Sequence, residues 1–260
     1  MRTISVISFS GGLDSTSLLL HLIDKKHTIY AISFNYGQKH SIELKKASAN
    51  INYLESRGIK INHKTVNLTD AISLLDSSLT DINQNIPEGY YKEKNMKSTV
   101  VPNRNAIFMS FVYAYSLSLN KQLKAPIEIS LGVHSGDHDI YPDCRIEFYN
   151  KIFEAFRLGN WDTERINLYL PYITLNKSEI IKDAINSCNN LNLDLDLIFK
   201  NTHTSYNPDD NGISDGKTAS DIERVLAFNQ LNMKDPLKYQ KPWEDIVAHA
   251  LKVEKSYNQK

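Results

Sequence analysis

Short apolar runs of strand character alternate with stretches of helical period through the first half of the chain. Residues 3–9 (TISVISF) are apolar and β-branched enough for a buried strand. They lead through Ser10, Gly11 and Gly12 into a helical run over 15–23. A second apolar run, 28–34 (TIYAISF), passes through Asn35, Tyr36 and Gly37 to a helical pattern over 41–54, and 59–66 predicts a third strand. Residues 104–119 predict a long helix and 127–133 (IEISLGV) a fourth buried strand. Strands alternating with helices imply parallel pairing through right-handed crossovers. Residues 76–101 are polar, have no period of either kind and are expected to form a mobile loop or lid. Beyond Pro171 come helices over 177–187, 220–231 and 243–253, with an Asp/Asn/Gly-rich loop over 207–215. The expectation is therefore an α/β domain over 1–200, Rossmann-like with helices on both faces of a parallel sheet, and a small helical C-terminal extension over 201–260.

Composition narrows the function classes. With 260 residues, 30 Lys+Arg against 30 Asp+Glu and 41% hydrophobic residues, the chain is an ordinary globular protein with no global attraction to polyanions. Cys144 and Cys188 are too few for a disulfide framework or a four-cysteine zinc site. No signal peptide is apparent and no apolar run approaches the ~20 residues that span a bilayer, so a cytoplasmic protein without membrane partners is expected.

The strongest chemical signal is Ser10-Gly11-Gly12-Leu13-Asp14-Ser15-Thr16, between the first strand and the first helix. Glycines let backbone N–H groups approach a phosphate, the helix N-terminus adds a favourable dipole, and the hydroxyls of Ser10, Ser15 and Thr16 can donate. A Walker A loop would need a lysine where Asp14 stands, and no GxGxxG is present. A phosphate cradle of another kind is expected.

The heptapeptide resembles the SGGxDS loop of the PP-loop ATP pyrophosphatases, of the HUP fold, which hold the pyrophosphate of ATP while a substrate oxygen attacks the α-phosphorus. The resemblance implies ATP as cosubstrate, an adenylated intermediate, and Mg²⁺ held through Asp14. It also makes Lys177 the candidate for the missing phosphate-binding cation, with Arg104 the other, and Phe34 part of the ATP site. Three further segments, Phe34-Asn35-Tyr36-Gly37-Gln38-Lys39-His40, Val101-Pro102-Asn103-Arg104-Asn105 and the Tyr141-to-Phe148 stretch YPDCRIEF, carry the likeness further. Together with the loop they resemble the 7-cyano-7-deazaguanine synthase family, over most of the chain. The implied reaction activates 7-carboxy-7-deazaguanine with ATP, forms the amide with ammonia, then activates the amide and expels water as the nitrile.

In such a site a carboxylate would accept the deazaguanine N1–H and amine, with Asp143 the first candidate and Asp139 the second. Arg145 or Arg104 would hold the 7-carboxylate, and Tyr36 and Tyr141 offer faces for stacking. Gln38, Asn103 and His134 complete the expected substrate-binding set. The cluster His134, Asp137, His138, Asp139 has the ligand types of a metal site, but it falls in an expected loop, without the helix that would align two imidazoles.

One part of the family pattern is missing. The zinc site of that family takes one cysteine from a Thr-x-Thr-Cys-Tyr stretch and three from Cys-x-x-Cys-x-x-Cys, and here those places hold Ser205, Asp215, Thr218 and Asp221. Zinc is not expected with these groups. The departure keeps open a divergent branch that conjugates the activated deazaguanine to an amine on a partner protein or nucleic acid, as in phage or anti-phage settings. A nucleotide-binding scaffold without turnover is the third alternative. tRNA thiolation, which normally needs catalytic cysteines and a basic surface, and glutamine-dependent amidotransfer, which needs a glutaminase, fit less well; the nitrogen donor is expected to be ammonia or an external amine. A homodimer is expected by family resemblance alone.

Overall fold

The computed structural model describes residues 2–38, 42–80, 94–137, 141–205, 208–209 and 212–259. Among them, β1 (Ile4–Ser8), β2 (Thr28–Asn35), β3 (Ile61–Asn67), β4 (Ile127–Ser130) and β5 (Ile166–Tyr169) form one sheet in the order β3-β2-β1-β4-β5. Every pairing is parallel. The helices are α1 (Leu13–Asp24), α2 (Ile42–Ser56), α3 (Thr69–Ile72), α4 (Arg104–Leu123), α5 (Ile146–Leu158), α6 (Lys177–Leu191), α7 (Leu195–Lys200), α8 (Ala219–Gln230) and α9 (Trp243–Asn258).

Period-two alternation along β1 sends neighbouring side chains to opposite faces, and both faces are covered. Ile7, with Ile29 and Ala31 of β2, packs under α1, α2 and α6 through Leu18, Ala47, Ile51 and Ile181. Ile4 and Val6, with Ile127 and Ile129 of β4, pack under α4 and α5 through Met109, Val112, Tyr149 and Phe153. Burial on both sides is why these strands read as continuous apolar runs. The strand order reverses at β1, between β2 and β4, and ligands of such sheets sit at that point beyond the strand ends. The glycine turn leaves β1 there.

The architecture is the expected one, with differences of detail. β5 and helices α3, α5 and α7 fall outside the sequence expectation. β5 is a four-residue edge strand with only Ile166 fully buried, too short to carry a period. α5 follows directly on the Tyr-Pro-Asp-Cys turn, and its buried face is made by Tyr149 and Phe153 alone. Part of the segment 76–101 is packed: Leu79 and Val101 are buried with Ile72, and the Ser78 amide donates to the Ser98 carbonyl at 2.9 Å. Residues 81–93 lie outside the described part, so the expected lid is not described there.

The C-terminal helices are joined to this frame by a buried cation and by apolar packing. Arg224 of α8 is fully buried, and its Nε and Nη2 donate to the two carboxylate oxygens of Asp235 at 2.6 and 3.0 Å. Its Nη1 donates to the hydroxyls of Thr202 and Thr204 at 2.7 and 2.9 Å. Asp235 also accepts from Tyr239 Oη at 2.8 Å. Ala227 and Phe228 of α8 join the core under α1 and α6, while Ile222 and Val225 pack with Ile246 and Ala250 of α9.

Arg224→Leu leaves the Asp235 carboxylate buried without its counter-charge, and a loss of about 3 to 5 kcal/mol in unfolding free energy is expected. Urea titration of the variant beside the wild-type chain measures it. Replacing both partners, with Asp235→Asn added, recovers part of that loss.

Candidate functional site

The turn after β1 is shaped by its neighbours as much as by its own sequence. Gly11 has φ +84°, and a Cβ there would lie 2.6 Å from the Glu43 carbonyl oxygen and 2.9 Å from Ala47, so conformation and space both demand glycine. The Gly11 carbonyl accepts from the His203 amide at 3.1 Å, in the segment that Arg224 holds. Ser10 Oγ accepts from the Gly12 amide at 3.1 Å and lies 3.0 Å from Ser15 Oγ. Gly12 is the N-cap of α1 and supplies no side-chain cap, and a Cβ at Gly132 would sit 3.0 Å from the Ser15 nitrogen. The first-turn residues of α1 line a cavity, and a helix N-terminus open in this way is an arrangement that binds phosphate.

Asp14, Lys177, His134 and Glu223 meet beside that turn. Lys177, the first residue of α6, is 6% exposed; its Nζ donates to Asp14 Oδ2 at 2.6 Å and lies 3.2 Å from Glu223 Oε2. His134 Nε2 is 2.9 Å from the same Nζ, and its Nδ1 is 3.1 Å from the Gly136 amide. Both ring nitrogens face donors, so a neutral imidazole accepts only one of these bonds, according to its tautomer. A capping box between Asn176 and Glu179 fixes the start of α6 and hence the root of Lys177. Burial would raise the Asp14 pKa, but the charges of Lys177 and His134 and the lysine hydrogen bond outweigh it and hold the carboxyl below its ordinary value.

Asp14 Oδ1 and Thr16 Oγ1 are buried with no hydrogen-bond partner. An ionised carboxylate with one oxygen on the lysine and the other orphaned fits Mg²⁺, which is commonly held by one or two carboxylates together with phosphates and waters. Among the described residues no group of three or more His, Cys, Asp or Glu is arranged to hold a metal by itself.

A cavity of about 240 Å³ runs from this cluster across the ends of β1, β2 and β4. Ser10, Gly12, Leu13, Asp14, Ser15 and Lys177 line one part, and Phe34, Tyr36, Arg104 and Phe108 another. Phe34 and Phe108 stack at 4.2 Å, and the Arg104 guanidinium lies 5.9 Å from the Tyr36 ring centroid. Burial, only partly offset by Arg104, pushes the Tyr36 phenol up to about 12, so it is a neutral donor at physiological pH. Glu43, which sequence analysis did not single out, lines the same cavity, and burial raises its carboxyl to about 7 against the pull of Arg104.

The remaining expected residues stand around this space rather than in its lining. Gln38 Oε1 accepts from the Tyr36 amide at 2.9 Å and shapes the turn after β2. Asn103, with φ 59°, is the N-cap of α4, directly before Arg104. Tyr141 is buried with its Oη 2.8 Å from Thr99 Oγ1, against Met96 and Cys144. Asp143 is half-buried and Arg145 exposed, and neither lines the cavity. Asp139 lies outside the described residues. Glu223 was also missed: its partners are 46 and 89 positions upstream, at Lys177 and His134, and no local pattern links them.

At the places of the missing cysteines, Asp221 Oδ2 accepts from Ser205 Oγ at 2.8 Å and from Thr218 Oγ1 at 2.5 Å. Asp215 Oδ1 accepts from the Lys217 amide at 3.1 Å. This donor set is made of hydroxyls and carboxylates and does not fit tetrahedral zinc.

Comparison with known proteins follows the same line. The family model described as queuosine biosynthesis protein QueC matches residues 4–232. The chain is 39% identical over 236 residues to a 7-cyano-7-deazaguanine synthase of Marinomonas sp. (strain MWYL1), covering 91% of this chain and 98% of that protein. It is 42% identical over 237 residues to a 7-cyano-7-deazaguanine synthase of Hahella chejuensis (strain KCTC 2396), covering 91% and 93%.

Because the Lys177 charge and hydrogen bond are among the groups that hold Asp14 low against burial, Lys177→Met raises its pKa. In the wild-type chain Asp14 titrates below 3.8, so its contribution to stability is present above that pH and is lost as pH falls through the folded value. In the variant it titrates higher, which carboxyl-carbon NMR of the two proteins measures directly.

Proposed function

The chain belongs to the QueC family of queuosine biosynthesis proteins, and from that membership we propose that it makes 7-cyano-7-deazaguanine from 7-carboxy-7-deazaguanine, ammonia and two molecules of ATP. The observation that carries this reading is the single cavity that joins the glycine turn and its lysine to an aromatic wall with an arginine. The phosphate tail of ATP lies on the first-turn amides of α1 and on Lys177. Arg104 orients the substrate carboxylate, and Phe34 and Tyr36 give flat faces to the rings. A substrate carboxylate oxygen attacks the α-phosphorus and pyrophosphate leaves. Ammonia then displaces AMP to give the amide, whose oxygen attacks a second ATP before the nitrile forms. Asp14 would hold Mg²⁺, which when bound would neutralise charge on the leaving pyrophosphate.

Positioning and charge neutralisation carry this chemistry, and no side chain of the chain becomes covalently attached. Both cysteines suit that view. Cys144 and Cys188 are buried, and burial, with Asp194 nearby, pushes the Cys188 thiol up to about 12, so it is not a thiolate nucleophile. The reading includes closure of the C-terminal region without zinc, by the hydrogen bonds around Asp221.

A second reading is favoured by that same substitution of a metal site: the activated deazaguanine passes to an amine of a partner macromolecule, as in an antiviral setting. Mass spectrometry of the purified chain with ATP, carboxydeazaguanine and ammonium separates the readings. Free nitrile with two AMP per product is expected. ATP consumption without nitrile supports conjugation, and absence of AMP and pyrophosphate supports a nucleotide-binding scaffold.

Asp14→Ala is expected to lower pyrophosphate release at least about 100-fold, within the range for removal of preorganised electrostatic groups, in a chain that still folds cooperatively though with a lower thermal midpoint, because Lys177 loses its partner. A pyrophosphate-release assay beside a melting curve checks both halves.

A further inference from the structure

The amide and nitrile steps shed protons, and a group is needed to take them. Ammonium and the carboxylate give the amide with loss of two protons, and the amide gives the nitrile with loss of two more while its oxygen departs on AMP. Asp14 and Glu223 are poor acceptors, because the Lys177 ammonium stands 2.6 and 3.2 Å from their oxygens. Glu43 is differently placed. It lies in the first turn of α2, its carbonyl packs on Gly11 of the glycine turn, and it lines the same cavity as Arg104, Tyr36, Ser10 and Asp14. It therefore sits between the phosphate end and the ring end.

We propose that Glu43 is the general base of the carbon–nitrogen steps, an assignment that rests on the synthase reading of the site. When ammonia adds to the acyl-adenylate, the C–N bond forms and the nitrogen carries an extra proton, which the Glu43 carboxylate takes before the C–O bond to AMP breaks. After the amide oxygen is adenylated, Glu43 takes the nitrogen protons in turn, releasing each to solvent. The second departs as the C–O bond breaks, the C≡N bond closes and AMP leaves with the oxygen. The charged and titratable groups around it are Arg104 from α4, Tyr36 after β2, His203 beside the turn, and Asp14 and Lys177 across the cavity. Burial, opposed by Arg104, brings the Glu43 carboxyl to about 7, where a base is most effective at neutral pH.

Glu43→Gln in the full chain tests this through partition rather than through rate alone. The expected result is an amide yield per pyrophosphate released that falls about 100-fold, the scale of general-base catalysis, with the unaminated adenylate lost to hydrolysis. The rising limb of the wild-type pH profile for amide formation, near neutrality, disappears in the variant. Hydroxylamine, which is unprotonated and strongly nucleophilic at neutral pH, restores acyl transfer as the hydroxamate. Glu43→Asp, with a carboxylate set back by one methylene, keeps the rising limb at reduced yield. A Glu43→Gln protein that keeps the wild-type partition ratio and pH profile overturns the assignment, as does a parallel loss of adenylation and amination. A wild-type chain that releases no pyrophosphate with carboxydeazaguanine removes the synthase reading itself, an outcome distinct from either.

Discussion

A buried guanidinium determines how the C-terminal helices meet the phosphate turn. Burying Arg224 and Asp235 together costs several kcal/mol per ion in lost hydration, and the attraction between them offsets this only when the remaining donors are also satisfied. They are: two go to Asp235, two to the hydroxyls of Thr202 and Thr204, and one, at 3.4 Å, to the Phe199 carbonyl. A cation so saturated fixes the backbone of 199–204 as well as its own helix. The His203 amide on that backbone then holds the Gly11 carbonyl. The shape of a turn near the N-terminus thus depends on a charge pair more than two hundred positions away.

From that constraint the division of labour in the cavity follows. Glu223 directly precedes Arg224 on α8, so fixing the arginine places the glutamate opposite Lys177 and His134. The lysine, set between Asp14 and Glu223, joins His134 in holding the Asp14 carboxyl below its ordinary value despite burial. At Glu43 burial prevails over the pull of Arg104, and its carboxyl rises to about 7. Two carboxylates of one cavity are driven apart in proton affinity by the cations each one faces, which is how a site separates an electrostatic role from a proton-transfer role.

Much of this frame is legible in the chain itself. β1, β2 and β4 are covered on both faces and so appear as apolar runs, and Gly11 marks a turn because a positive φ beside a close backbone leaves no other choice. Ser10, Asp14, Tyr36, Arg104 and Lys177 follow from motif and resemblance, and the fold gathers them around one cavity. Other features leave no local trace. β5 is too short for a period, and the burial of Arg224 depends on partners from three separate segments. Glu43 and Glu223 look like helix-surface acids in sequence, because what changes their chemistry is contributed by elements far along the chain.

The substitution of the expected thiolate positions is an exchange of physics as well as of residues. A thiolate-bound metal ties its segments together only while the ligands are deprotonated, so such a link weakens as pH falls. The cluster around Asp221 has the opposite tendency. Burial raises that carboxyl above its ordinary value, against the hydrogen bonds from Thr218, Ser205 and Ser214, so the folded chain holds the proton more tightly than the unfolded one. Its contribution to stability is then fully present below the ordinary carboxylate pKa and is lost as pH rises through the folded value. The hydroxyls limit that loss by donating to the ionised form, and Thr218 does so while also capping α8. Because α8 carries both Glu223 and Arg224, the hydrogen bonds around Asp221 act on the same helix that meets Lys177 and braces the glycine turn.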